Sequence, residues 1–169
     1  MTTISTRSVV GESSSNPSGF FSPSTVRAAA TIAVAGLIAG ALDISQALFL
    51  FGSGVLLSIS AGLLGPAAGS GGASIYALGL VLHFGIATIF AAIYYLVSRK
   101  LRFLLEYPVI CGLVYGLLVE LSMDLIVLPL SALHARGPFQ LSQLLRGIGV
   151  HMVTVGLPVS LSIRRFSRT

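Results

Sequence analysis

Residues 29–51 read AATIAVAGLIAGALDISQALFLF, a run of 23 positions with one ionisable side chain, Asp43. A helix rises about 1.5 Å per residue, so this run is long enough to cross the roughly 30 Å hydrocarbon core of a bilayer. A helix that is apolar on every face needs lipid, or a large protein core, around it. Three more runs of the same kind follow at about 74–97, 107–130 and 142–163. The predicted fold is all-α: a bundle of four transmembrane helices in residues 25–169. A Ser-rich tail, residues 1–24, precedes it. Its only charges are Arg7 and Glu12, and it carries too little apolar surface to fold, so a disordered cytoplasmic tail is expected there.

Composition points the same way. Of 169 residues, 54% are hydrophobic and 9% are charged, against about 25% charged in soluble domains. Mean hydropathy is +0.95. These values exclude a disordered chain, a coiled coil, a collagen-like repeat and nearly every soluble fold. The net charge of +5 sits in basic residues that flank the spans, where it sets topology and is no sign of nucleic acid. Cys111 is the only cysteine, which rules out an intrachain disulfide and a multi-cysteine metal site. The first apolar run is too long for the h-region of a signal peptide, so it reads as an uncleaved span.

Local signals bound the spans. Ser22-Pro23-Ser24-Thr25 is a helix start, and Pro108 stands where the third span begins, where its missing N–H costs nothing. Arg99-Lys100-Leu101-Arg102 ends the second span and Arg164-Arg165 the fourth. Between the first two spans, Val55 to Leu64 is apolar but too short to cross. It reads as an interfacial or a re-entrant helix, followed by Gly65-Pro66 and the flexible Gly69-Ser70-Gly71-Gly72. One side of the bundle collects Arg7, Arg27, Arg99, Lys100, Arg102, Arg164, Arg165 and Arg168, and the other only Arg136. The positive-inside rule then puts both termini in the cytoplasm.

Gly36 and Gly40 form a G-xxx-G pair in the first span, and Gly112 and Gly116 form one in the third. Such pairs let helix backbones approach closely. Asp43 continues the first stripe, and Glu120 and Asp124 the second, so the carboxylates should face the bundle. Six ionisable residues fall inside the spans: Asp43, His83, Glu120, Asp124, Arg146 and His151. Each carries an insertion penalty of about 2.5–3.5 kcal/mol when central, which makes it a functional candidate. Counted at 1.5 Å per residue, Asp43, His83, Glu120 and His151 converge on one layer near the midplane, about 55–60% of the way across. Asp124 and Arg146 form a second level and are expected to neutralise each other. Arg146 and His151 are five residues apart, about 140° around the helix, so they cannot both face the same neighbour.

The layer supports three readings. Carboxylates and histidines in series make a proton or ion path, suited to a small proton-linked or small-solute transporter. Two imidazoles and two carboxylates could hold a divalent metal ion. His83 and His151 could hold a haem between them, with Gly79, Gly85, Gly147 and Gly149 giving the macrocycle room. The alternative to transport is a non-enzymatic accessory or assembly subunit of a larger membrane complex. A homo-oligomer is expected for transport, since four helices leave little wall for a pore. No nucleophile stands beside a general base in a recognisable arrangement, which argues against an enzyme.

The stretches Ala41-Leu42-Asp43-Ile44, Ser60 to Ala68, Leu82-His83-Phe84, Tyr94-Tyr95 with Ser98-Arg99, and Pro129-Leu130-Ser131 carry a resemblance. The chain resembles a family of small bacterial inner-membrane proteins of unknown function. The resemblance implies a multi-pass protein of the bacterial inner membrane and implies no particular activity.

Overall fold

The computed structural model describes residues 23–134 and 140–167. Four helices are long and apolar enough to cross a membrane: α1 (Pro23–Phe51), α3 (Ala73–Lys100), α5 (Pro108–Leu130) and α6 (Leu141–Ser167). Two short helices join them, α2 (Gly54–Leu64) and α4 (Phe103–Glu106), and a 3-10 stretch, Gly65–Ser70, follows α2. The described residues contain no strand. The expected tail lies outside the described residues except for Pro23 and Ser24, which already belong to α1. Pro23 and Ser24 are already helical, so α1 extends beyond the apolar run into the expected start signal. Arg7, Arg136 and Arg168 also lie outside the described residues. Arg99, Lys100, Arg164 and Arg165 stand within the last turns of their helices, where cations favour the negative end of the helix dipole.

The spans form two antiparallel hairpins built on one plan. In the first, Gly36 packs against Thr88 and Gly40 against Phe84. In the second, Gly112 packs against Gly156 and Gly116 against Met152. Thr88 and Gly156 each lie five residues after the histidine of their helix, and Phe84 and Met152 one residue after it. Gly79 and Gly147 each lie four residues before it. The pattern G-L-x-x-G on the outgoing helix and G-x-x-x-H on the returning one therefore occurs twice.

Two π-turns interrupt the second hairpin, at Met123–Val127 and Met152–Gly156. The Leu128 N–H reaches back to the Met123 carbonyl and the Leu157 N–H to the Met152 carbonyl, five residues in each case. A proline follows each leucine, Pro129 and Pro158. Having no N–H, each leaves the carbonyl four residues earlier without its helical donor, and the extra residue of a π-turn accommodates the break.

Val55 to Leu64 fall within helix α2. A Cβ on Gly79 would strike the Leu56 carbonyl, and Ser60 donates to the Ile75 carbonyl at 2.6 Å. As the number rises along α2 it falls along α3, so α2 runs antiparallel along one half of α3 and not across its end. Gly52, at φ +67°, turns the chain out of α1 and into α2. The far end of α2 is tied to the segment after α5, where the Ala132 N–H donates to the Gly62 carbonyl at 2.8 Å.

Packing is uneven along the bundle. Towards the basic end, where Arg99 and Arg164 stand, Tyr94, Val159 and Ile163 are fully buried with Ala35 and Ala91. Tyr94 lies edge-on to Tyr115 at 4.9 Å between ring centres, and the Tyr115 hydroxyl donates to the Phe90 carbonyl at 2.6 Å. Those contacts pin α3 to α5 at that end. Towards the other end α2 packs along α3 and is tied to the segment after α5. Large apolar side chains such as Phe49 and Leu130 project from the outside of the bundle, the surface that lipid accepts.

Candidate functional site

The four midplane residues meet in the middle of the bundle, each delivered by a different helix. His151 Nδ1 lies 2.7 Å from Glu120 Oε2, a charge-assisted contact between α6 and α5. The same nitrogen lies 3.1 Å from the Gly147 carbonyl of its own helix, and since both neighbours accept, Nδ1 carries the proton. Gly147 is what lets Glu120 in: a Cβ there would occupy the place of Glu120 Oε1.

The first hairpin builds a looser pair. The His83 Nε2–H donates to the Gly40 carbonyl at 2.9 Å, and Asp43 Oδ2 lies 4.0 Å from the same nitrogen, too far for a hydrogen bond. The repeat explains the difference. Glu120 lies four residues after Gly116, but Asp43 lies three after Gly40. One residue is about 100° of helix rotation, so Asp43 turns away from its histidine and towards α6. The position matching Glu120 is filled by buried Ile44. On α6, Asp43 Oδ1 accepts the Thr154 hydroxyl at 2.8 Å, which the Val150 carbonyl shares at 3.0 Å. Asp43 Oδ2 accepts no hydrogen bond among the described residues.

Asp43, His83 and His151 line one cavity of about 540 Å³, together with Ser58 on α2, Phe90 on α3 and Val127 on α5. Its walls are otherwise almost wholly apolar. A concave apolar site of roughly 300–1,000 Å³ with a few convergent polar groups is the usual form of a small-molecule site. Glu120 does not line it. One carboxylate thus faces the cavity and the other lies behind it, with His151 touching both the cavity and Glu120.

Two expectations are corrected. Asp124 and Arg146 form no ion pair: among the described residues the only carboxylate–base contacts within 4.0 Å are Asp43–His83 and Glu120–His151. With His151 turned to Glu120, the 140° offset leaves Arg146 exposed on the outside of the bundle. A haem between His83 and His151 does not fit either. His83 Nε2 is held by the Gly40 carbonyl. Gly79 and Gly147, expected to leave room for a macrocycle, are covered by the Leu56 carbonyl and the Glu120 carboxylate, and Gly85 and Gly149 face open space. No group of three or more His, Cys, Asp or Glu among the described residues is placed to hold a metal ion.

Thr154 escaped the sequence reading. The signal was present: it lies three residues after His151, hence on the same helix stripe. No family model matches the chain, and neither a curated protein nor a solved structure does.

Proposed function

We propose that this multi-pass membrane protein moves protons together with a small solute across the membrane. The observation that carries the reading is the pairing of two carboxylate–imidazole couples across four helices, with Asp43, His83 and His151 at the wall of one cavity and Glu120 behind His151. Asp43 and His151 stand at the cavity and Glu120 behind His151, an order suited to passing a proton inward from solvent in the cavity. The bundle is packed shut around Tyr94 and Ile163 on one side of this layer and hollow on the other. Transport then requires the closed end to open, and the two alike hairpins are the natural moving parts. We place the protein in the bacterial inner membrane, as a homo-oligomer with its basic end and both termini in the cytoplasm. The charge distribution supports that orientation.

The test is proton flux into liposomes of the reconstituted protein, driven by a potassium diffusion potential and read with an internal pH dye. Asp43→Asn and Glu120→Gln should insert normally and lose the flux. Equal flux in wild type and both variants would overturn the proposal. A second reading, an accessory subunit of a larger complex, is favoured by α3, which buries only 17% of its most apolar stretch. Partners that co-purify in mild detergent, with no flux, would favour that reading.

A further inference from the structure

We propose that the cavity binds a monovalent, largely apolar cation, with Asp43 Oδ2 as its counter-ion. This names the solute of the transport reading and rests on it. The argument is one of charge and shape. The cavity touches one carboxylate, two imidazoles and no lysine or arginine. Arg146 faces outward, and the remaining basic residues of the described chain stand at the basic end.

Of the two carboxylates, Glu120 is already met by His151 at 2.7 Å. Asp43 receives a neutral hydroxyl on Oδ1, while Oδ2 faces its histidine at 4.0 Å with that histidine's proton committed to Gly40. Asp43 Oδ2 thus stands at an apolar wall with no hydrogen-bond donor on it among the described residues, and a cation is the complement of such a carboxylate. A compact hydrated ion would not use the apolar walls of Phe90, Val127 and Ile86. A cation wrapped in alkyl or aryl groups uses both, and Phe90 puts an aromatic ring in the lining. The one-residue offset between Asp43 and Glu120 gives the two pairs different duties: the open pair meets the cation and the closed pair holds the proton.

The probe is tetraphenylphosphonium, with tetraphenylborate as a control of nearly the same shape and opposite charge. Binding is measured by equilibrium dialysis on the full chain in mild detergent, separately from flux. Wild type should bind the phosphonium at least about tenfold more tightly than the borate. Asp43→Asn, which keeps an acceptor for Thr154, should lose about tenfold or more, and Glu120→Gln should retain binding within about threefold. Borate binding equal to phosphonium binding, or unchanged phosphonium binding in Asp43→Asn, would overturn the proposal. If binding follows Asp43 but no variant alters proton flux, the cation site stands and the transport reading fails. If flux depends on both carboxylates but the phosphonium does not bind, transport stands and the cation site fails.

Discussion

Replacing Gly147 by Ala tests the geometry of the closed pair. The added methyl would take the place of Glu120 Oε1. The carboxylate is the end of a flexible side chain, so it can swing aside and little steric strain need remain. What is lost is the 2.7 Å contact with His151. A hydrogen bond to a charged group contributes about 1.5–3 kcal/mol in soluble proteins. Inside membranes, measured couplings average about 0.6 and reach about 1.7 kcal/mol, because separated helices also find partners. The membrane figure governs here, with a further penalty for a carboxylate moved into apolar surroundings. We expect about 1–2 kcal/mol, or roughly five- to thirtyfold in the folding equilibrium. Gly149→Ala is the control: nothing lies within 4 Å of a Cβ there, so stability should hold or rise slightly with the better helix former. The decisive comparison is a double-mutant cycle. With Glu120→Ala in place, Gly147→Ala should lose nearly all its effect, below about 0.3 kcal/mol, since the obstacle is gone. Reversible unfolding in mixed micelles, followed by circular dichroism, gives both numbers. An equal effect in both backgrounds, or none in the wild type, would refute the argument.

Gly116→Ala should be at least as damaging for a different reason. Its Cβ would meet the His151 carbonyl at 2.5 Å and the Met152 backbone, which cannot rotate away, so the hairpin must part at about 1–3 kcal/mol; thermal melting in detergent checks it against Gly54→Ala, where a Cβ meets nothing. Tyr115→Phe should destabilise by about 0.6–1.7 kcal/mol through loss of the bond to Phe90. A melt indistinguishable from wild type would mean the bond does not pin α3 to α5. Arg146→Gln should alter stability by less than about 0.5 kcal/mol, as for exposed sites without partners, and a loss above about 1.5 kcal/mol would show that it has a buried one.

The spans, their number and their polar layer were legible in the sequence because each depends on counting along one helix. A run of apolar residues has a length, and a residue's depth follows from its distance to the end of the run. Asp43, His83, Glu120 and His151 could be placed in one layer without knowing any neighbour. The glycine pairs could be placed at helix contacts because spacing by four residues keeps them on one face. Rotation about one helix was legible too, and it excluded a common neighbour for Arg146 and His151.

Pairing between helices was not legible in that way. Two residues at equal depth may stand on facing or averted sides, and depth alone made Asp124 and Arg146 look like partners. Only packing showed that Glu120 takes His151, that Gly147 makes room for it, and that Thr154 takes Asp43. The course of α2 was likewise decided by Gly79 and Ile75 on α3, which meet Leu56 and Ser60, and not by the apolar residues of α2. Membrane insertion is a property of single helices meeting lipid, so the sequence by itself determined it. The site is a property of how four helices turn towards one another. A one-residue offset, three after Gly40 against four after Gly116, changed a closed pair into an open carboxylate, and that difference acquires its meaning only in the assembled bundle.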